Sequence, residues 1–179
     1  DGDLTTWSYD DATGLLIRKT YADGTHEDTT YNALNLKSTL TDARGIVTTW
    51  GYNLKKGVNT SVSYSDSTPG IQYAYNYLNQ LMRVTDASGT RTISYNQYSE
   101  PDTDSITIGG ASYQLQENYD IYGRSSGYAL KQGTTVLQEV SQGYEANGRL
   151  ASAGIMHGGE EQTFAYSYLA GSSLLTSGA

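Results

Sequence analysis

The sequence predicts an all-β fold, an extended antiparallel sheet of repeated β-hairpins with about 16 strands. Aromatic residues alternate with polar ones along short segments, which is the two-residue period of a strand with one apolar face. The same aromatic pattern returns about every 23 residues along the 179-residue chain. The composition, with 17 Tyr, 20 Gly and only 2 Pro, is typical of many short strands joined by glycine turns.

One complete repeat is present in residues 72–96. Its first strand carries Tyr73 and Tyr75 on one face, and residues 76–79 then supply side chains that tolerate the positive φ of a turn. A second strand follows and ends at residues 86–89, where Asp and Gly suit the first and fourth positions of a type I turn. The repeat is therefore expected to be a hairpin that leads into the next hairpin.

A tyrosine occupies the same position of every repeat and is called here the anchor tyrosine. Two residues before it, several repeats carry a second large side chain, such as Trp7, Trp50, Tyr73 or Tyr166. Residues two apart share one face of a strand, so this face is expected to be buried. The eight anchor tyrosines are Tyr9, Tyr31, Tyr52, Tyr75, Tyr95, Tyr119, Tyr144 and Tyr168.

Each repeat contains two turn segments. The first follows the anchor tyrosine and runs from an acidic or amide residue to Gly or Asn, over residues 11–14, 32–35, 76–79, 120–123 and 145–148, while 53–57 is one residue longer. We expect the first side chain to accept a hydrogen bond from the turn backbone and the last residue to be left-handed. The second turn lies about fourteen residues past the anchor tyrosine. Two turns imply two strands per repeat, which favours a meander of hairpins over a parallel solenoid.

The eight repeats are expected to form a single array over residues 1–179. The weakest match is residues 99–110, SEPDTDSITIGG, where Pro101 and two Asp interrupt the pattern, and an irregular loop is predicted there. The chain ends on Phe164, Tyr166 and Tyr168, but the next turn lacks an acidic residue. The last repeat is therefore expected to be cut or diverged.

Charge and hydropathy exclude two classes of partner. The formal net charge is -8, and the 11 Lys and Arg residues are scattered along the chain. Such a chain repels nucleic-acid phosphates and anionic membranes, so we expect no nucleic acid as a partner and no membrane insertion by this segment. No stretch is long and apolar enough to span a bilayer. Residues 1–4 do not resemble the start of a signal peptide, so any export signal is expected outside this segment.

The anchor tyrosines with their following turns resemble the YD repeat (Tyr-Asp repeat) of the Rhs family. The clearest copies are YDIYGR at residues 119–124 and YEANGRL at residues 144–150, against the loose pattern Tyr-Asp-x-x-Gly-Arg-Leu. Eight copies in approximate register cover essentially the whole chain. Only these two copies keep the Gly-Arg pair, and the family's self-cleaving aspartic protease core is not recognisable. No catalytic residue is therefore carried over to any position.

The resemblance implies a strip of sheet that curls or spirals into a hollow shell within a larger exported bacterial protein. In toxins of this family the shell encloses a C-terminal effector, while other members work at the cell surface, with carbohydrate binding attributed to the repeats. We expect a non-enzymatic structural segment that encloses or scaffolds a C-terminal toxin or effector domain. The alternative is a cell-surface adhesion or carbohydrate-binding module.

The same resemblance gives the expected partners and localisation. The partners are neighbouring repeats of the same parent protein, together with an enclosed effector domain or a surface glycan. The end strands of an open strip also invite edge-to-edge self-association. The expected localisation is secreted or cell-surface.

Few residues suggest chemistry. His26 and His157 lie at predicted turns, and no nucleophile-elbow sequence accompanies them, so we expect no catalytic residues and no enzymatic activity. We expect no cofactor. The turn aspartates fit neither the EF-hand loop nor the glycine-rich calcium repeat, so no metal site is assigned, and the alternative is a structural metal around residues 102–104.

Tyrosine also serves as a platform for sugars, because its flat ring stacks on an apolar pyranose face. The regular recurrence of the anchor tyrosines instead indicates packing between strands. The candidates for exposed ligand platforms are the tyrosines outside the anchor register, Tyr98, Tyr122 and Tyr128.

Overall fold

The computed structural model describes the backbone of residues 4–178 and the side chains as far as residue 176. The regular elements of this part are 16 β-strands. Contacts divide the chain into two units, Asp1–Ser88 and Gly89–Ala179. The single array over residues 1–179 stays a prediction. Residues 1–3 lie outside the described residues, although the signal-peptide argument uses residues 1–4. Residue 179, the last of the predicted array, also lies outside them.

The first unit contains four hairpins, and its strands pair antiparallel with their neighbours in the chain. Trp50 lies opposite Val62, and Val62 lies opposite Ile71 on the next strand. The strands are β1 (Thr6–Tyr9), β2 (Leu16–Thr20), β3 (His26–Tyr31), β4 (Lys37–Thr41), β5 (Val47–Asn53), β6 (Val58–Tyr64), β7 (Ile71–Tyr75) and β8 (Leu81–Asp86).

The second unit also contains four antiparallel hairpins, with longer strands. Leu115 lies opposite Leu130, and Tyr128 lies opposite Val140. The strands are β9 (Gly89–Tyr95), β10 (Pro101–Ile108), β11 (Ala111–Tyr119), β12 (Ser125–Gln132), β13 (Thr135–Tyr144), β14 (Leu150–His157), β15 (Glu160–Tyr168) and β16 (Leu175–Gly178).

The predicted all-β fold of antiparallel hairpins is confirmed, and so is the number of strands. Two strands per repeat form because each repeat supplies two segments of alternating residues and two turns. Between residues 4 and 178 there is no helix of the length and apolarity needed to cross a membrane.

The two faces of the sheet differ in chemistry. In the first unit, the face that carries Trp50 also carries aliphatic residues, and we call it the aromatic face. The opposite face carries a row of hydroxyl side chains, in which Thr30 lies opposite Thr39 and Thr39 lies opposite Thr49. The hydroxyl oxygens of Thr30 and Thr39 are 2.6 Å apart, so they share a hydrogen bond across the strands.

The aromatic face is only half-buried, which corrects the expectation of a buried face. Within the described residues, only Thr29, Gly127, Ala129 and Gly154 are buried, and Ala129 and Thr29 keep 7% and 8% of their surface exposed. Seven of the eight anchor tyrosines are half-buried, and Tyr9 is exposed. The reason is that the sheet of each unit has no second layer of strands or helices among the described elements to cover it.

The prediction of an irregular loop near residues 99–110 is wrong. Strand β10 runs through this segment and pairs with both β9 and β11. Pro101 is the first residue of that strand, a position that tolerates proline because its missing N–H leaves no gap inside the ladder. Ser99 takes the left-handed turn position, with φ 68°, where other repeats have Gly or Asn.

Two turns at the ends of the array also differ from expectation. The first turn begins at Asp10 and not at residue 11, because the Asp10 carboxylate accepts a hydrogen bond from the Thr13 amide at 2.8 Å. The last turn begins with an apolar residue, yet the Leu169 amide still donates to the Leu174 carbonyl at 2.9 Å. The last hairpin is therefore complete in its backbone, although its turn has diverged in sequence.

Candidate functional site

All eight anchor tyrosines lie at the C-terminal end of an odd-numbered strand, beside a β-bulge. In the first hairpin Ser8 pairs with Arg18 while Tyr9 pairs with Leu16, so Ile17 is an extra residue in β2. The same shift recurs in the other seven hairpins. A bulge re-aims the side chains beside it. The bulge therefore gives the side chain of each anchor tyrosine the same orientation relative to its own hairpin.

The hydroxyl groups of five anchor tyrosines donate hydrogen bonds to the main chain of the preceding hairpin. In each case the acceptor is the carbonyl of the first residue of an even-numbered strand. These bonds, which we call the anchor bonds, are 2.7 to 2.9 Å long and join Tyr31 to Leu16, Tyr52 to Lys37, Tyr119 to Pro101, Tyr144 to Ser125 and Tyr168 to Leu150. They join neighbouring repeats in addition to the ladder between strands.

In six of the eight repeats the side chain of the residue after the anchor tyrosine accepts a hydrogen bond from the turn backbone, as predicted. The Asp120 carboxylate accepts hydrogen bonds from the Tyr122 and Arg124 amides at 2.8 and 3.0 Å. Gly123 adopts φ 75°, the left-handed conformation that glycine takes at no steric cost. The Asp120 carboxylate also accepts a hydrogen bond from Arg124 Nε at 2.6 Å. Burial opposes the charge of Asp120, but the bonds from Arg124 outweigh it and hold the pKa of this carboxyl below its usual range.

The arginine of the Gly-Arg pair stacks on the next anchor tyrosine. The Arg124 guanidinium carbon lies 4.3 Å from the ring centre of Tyr144, and that of Arg149 lies 4.5 Å from the ring centre of Tyr168. Arg149 is held by Glu145 at 2.8 Å, as Arg124 is held by Asp120. A guanidinium over a tyrosine face gains a cation–π attraction. The Tyr-Asp-x-x-Gly-Arg pattern thus forms a contact between two repeats.

A groove of about 930 Å³, here called the acidic groove, opens between the first turns of two hairpins in the second unit. Its sides carry Tyr98 and Tyr122, which are 74% and 76% exposed. The ring of Tyr119 also lines it. Both rings are exposed as expected, and their role as ligand platforms stays a prediction.

The charged side chains that line the acidic groove are carboxylates, namely Glu100, Asp102, Glu117 and Asp120. Burial, together with the charges of Glu117, Glu100 and Asp102, raises the pKa of the Tyr119 hydroxyl. A negative field of this kind disfavours further negative charge and favours a bound cation.

Tyr128, the third predicted platform, is placed differently. It lies inside strand β12, between Glu117 of one neighbouring strand and Val140 of the other, and it is half-buried. Its place in the strand alternation puts its ring on the face that also carries Leu130. We therefore assign Tyr128 to packing within the sheet, which corrects its selection as an exposed ligand platform.

The remaining candidates for chemistry have protein partners. Asp104 forms an ion pair with Arg91, and the Asp102 carboxylate accepts a hydrogen bond from Gln116 Nε2 at 2.8 Å. In the described part of the chain, no group of three or more His, Cys, Asp or Glu side chains is arranged to hold a metal ion. His26 Nε2 lies 3.6 Å from Asp28, and His157 ends strand β14.

Two features of the site escaped the sequence analysis, although the repeats contain a signal for each. The residue five positions after the anchor tyrosine is Glu100 in one repeat, and Arg124 and Arg149 in the next two. Glu117 lies two positions before Tyr119, where other repeats carry Trp or Tyr. A position-by-position comparison of the repeats shows both replacements, and the structure places Glu100 and Glu117 in one groove.

Comparison with known proteins gives similarity in fold and none in sequence. No protein-family model matches the chain, and no curated protein matches its sequence. A crystal structure of TcdB2-TccC3 has a TM-score of 0.55 at 11% identity, covering 94% of this chain and 13% of that chain. A crystal structure of TcdB2-TccC3-Cdc42 has a TM-score of 0.54 at 11% identity with the same coverage.

A third similar structure is the Tc holotoxin pore of Photorhabdus luminescens, with a TM-score of 0.54 at 12% identity over 94% of this chain. The chain spans about 13% of the length of each of these proteins. Likeness at such low identity concerns the fold and not the activity. This chain therefore shares the all-β fold of one stretch of the Tc toxin proteins.

Proposed function

We propose that this chain is a non-enzymatic structural segment of a larger exported bacterial YD-repeat protein of the Rhs kind. Its role is to form part of a β-shell that encloses or scaffolds a C-terminal toxin or effector domain. The observation that carries the proposal is the set of anchor bonds, because they join successive hairpins along an array. The likeness in fold to a stretch of the Tc toxin proteins supports it.

The burial pattern supports a wall more than a globular binding domain. The described chain has four buried residues, two of them glycines, and none of its large side chains is fully buried. Its stability must therefore come from bonds within and between neighbouring hairpins, as in other repeat proteins. A wall of this kind can be extended by further repeats without redesign of a core.

Dimensions imply that an enclosure needs more repeats than this chain supplies. Sixteen strands spaced about 4.8 Å apart give roughly 77 Å of sheet, and closing that width into one turn leaves a diameter of about 25 Å between backbones. A cargo domain of about 130 residues has a radius of gyration near 14 Å and a diameter of roughly 36 Å. The parent protein would have to contribute the rest of the wall.

The proposal can be tested by protection of the effector domain from protease. The domain that follows the repeats in the parent protein is cleaved by thermolysin in two contexts, the full parent and a fusion to this chain alone. Enclosure predicts slow cleavage in the parent and fast cleavage in the fusion. Equal cleavage in both would reject enclosure and favour the adhesion role.

A pair of variants of the parent tests whether the contacts between repeats form the wall. Tyr144→Ala removes an anchor bond and the ring on which Arg124 stacks, so it should speed cleavage of the effector. Tyr77→Ala removes a side chain that is 85% exposed and should leave the cleavage rate unchanged. Equal rates for both variants would mean that these contacts do not limit access to the interior.

A further inference from the structure

In two repeats of the second unit, the first turn and the next anchor tyrosine together bind a guanidinium group of the chain itself. In each, a guanidinium lies between a carboxylate of its own turn and the ring of the next anchor tyrosine. Arg124 and Arg149 supply these groups from the position five residues after their anchor tyrosines. A planar guanidinium suits both partners, because it forms paired hydrogen bonds with a carboxylate and stacks on an aromatic face.

The preceding repeat departs from this pattern at the same position. It carries Glu100 where the later repeats carry arginine, and the next anchor tyrosine is Tyr119. Both residues line the acidic groove, and no Lys or Arg is among its lining residues in the described part of the chain. Here the chain supplies the ring of Tyr119 and the carboxylate of Glu100. The nearby guanidinium of Arg124 pairs instead with Asp120 and lies 5.1 Å from the ring centre of Tyr122.

The charges of this groove are not neutralised by their protein partners. Glu100 accepts a hydrogen bond from the Asn96 side-chain amide at 2.7 Å, and Asp102 accepts one from the Gln116 side-chain amide at 2.8 Å. Both donors are neutral, so these hydrogen bonds bring no positive charge into the groove. Asp120 is different, because it is paired with Arg124. Burial is the main cause of the raised pKa of the Tyr119 hydroxyl, and the charges of the surrounding carboxylates add to it.

We propose that the acidic groove binds the arginine side chain of a basic segment of a partner protein. The guanidinium stacks on Tyr119 or on one of the exposed rings of Tyr98 and Tyr122, and it pairs with the carboxylates of Glu100 and Glu117. The net charge of -8 attracts a basic segment toward this surface. Lysine binds less well, because its ammonium group lacks the planar fork that engages a carboxylate and a ring together. The inference does not depend on the enclosure role.

The test is a titration of the isotope-labelled chain with the peptide acetyl-Gly-Arg-Gly-amide, followed by two-dimensional amide NMR at low salt. Shifts are expected at residues 96–100 and 117–123 and should saturate. The same peptide with citrulline in place of arginine keeps the shape and loses the charge, so it should produce no shifts. The lysine peptide should bind roughly threefold to fivefold more weakly.

Three variants locate the site. Glu100→Arg places a guanidinium in the groove from the chain itself and should abolish peptide binding. Tyr122→Ala removes an exposed ring, which also lies 5.1 Å from the Arg124 guanidinium carbon, without touching the ladder of the sheet, and should weaken binding roughly threefold. Glu161→Gln removes an exposed carboxylate of β15 and should leave binding unchanged. If Glu100→Arg does not fold, Tyr122→Ala still decides the question.

Three results would overturn the proposal. The first is a set of shifts spread over acidic residues throughout the chain and unaffected by Tyr122→Ala, which would indicate nonspecific attraction. The second is equal binding of the arginine and citrulline peptides. The third is a neutral oligosaccharide, with cellotriose as the probe, that shifts residues 96–100 and 117–123 when the arginine peptide does not. That outcome would assign the groove to a glycan.

Discussion

Removing the hydroxyl of one anchor tyrosine should weaken the seam between two repeats by a measurable amount. Tyr144 donates to the Ser125 carbonyl at 2.7 Å, so Tyr144→Phe deletes this bond, together with the longer contact to Gln142 Oε1 at 3.3 Å, and keeps the ring. A neutral hydrogen bond contributes about 1 kcal/mol to the free energy of unfolding. Because Tyr144 is half-buried, water can reach the freed carbonyl, and we expect a loss of about 0.5 to 1 kcal/mol.

The ring of Tyr144 adds a second contribution, which a double-mutant cycle isolates. Tyr144→Leu removes the stacking surface, and Arg124→Gln removes the cation that lies 4.3 Å from the ring centre. A cation–π pair of this exposure should couple the two positions by about 0.5 to 1 kcal/mol. The two single losses should therefore add up to more than the loss in the double variant.

The measurement is urea unfolding followed by far-ultraviolet circular dichroism, together with hydrogen exchange of the amides on β12 and β13. Hydrogen exchange is needed because an array of repeats need not unfold in one step. Tyr77→Phe is the matched control, because its side chain is 85% exposed and its loss should be near zero. If Tyr144→Phe and Tyr77→Phe have the same small effect, the anchor bonds do not stabilise the seam.

The other predictions concern a polar defect, a glycine and an ion pair. The Asn32 side-chain nitrogen is buried without a partner. Leu36→Gln would place an acceptor where two later turns have one. The free energy of unfolding should therefore increase by about 0.5 kcal/mol, which urea unfolding would show as a higher midpoint. Gly127→Ala should cost about 2 to 3 kcal/mol in urea unfolding, because φ is 124° and the new methyl group would lie 1.8 Å from a carbonyl oxygen. Gly133→Ala, at φ 57° in open space, should cost about 1 kcal/mol, and equal losses would contradict this. Hydrogen bonds from Arg18 on β2 hold the pKa of Asp28 in the folded chain below its ordinary value of 3.8. The stability that this ion pair contributes is present above pH 3.8 and is lost as the pH falls through the pKa of Asp28 in the folded chain. Acid titrations of unfolding should therefore show a shallower decline for Asp28→Asn than for the unmodified chain, and identical curves would remove this ion pair from the acid response.

The hairpins could be predicted from the sequence because their determinants are local. Alternation assigns side chains to one face, and a residue such as Asp120 closes its turn with bonds inside five residues. Pro101 misled the prediction for the same reason, since proline interrupts a strand in general but fits the first position of β10. Local patterns therefore gave the strands but not the exceptions at their ends.

The extent of burial and the acidic groove could not be predicted in this way. A pattern of alternating Tyr and polar residues shows that two faces differ, but it does not show whether a second layer covers one of them. The groove depends on residues about 20 positions apart, such as Glu100 and Glu117, which the pairing of β10 with β11 brings together. Tyr128 was misjudged because its position outside the anchor register does not tell whether it lies in a turn or inside a strand.

The acceptors of the anchor bonds are main-chain oxygen atoms, so the side chains of the accepting residues can change without loss of the bond. The accepting residues include apolar, charged and polar side chains, and each contributes its main-chain carbonyl; they are Leu16, Lys37, Pro101, Ser125 and Leu150. A mutation at any of them leaves the acceptor in place, so one repeat can diverge from the next without a compensating change in its neighbour. Such tolerance is compatible with a fold that resembles one stretch of the TcdB2-TccC3 structure at 11% identity.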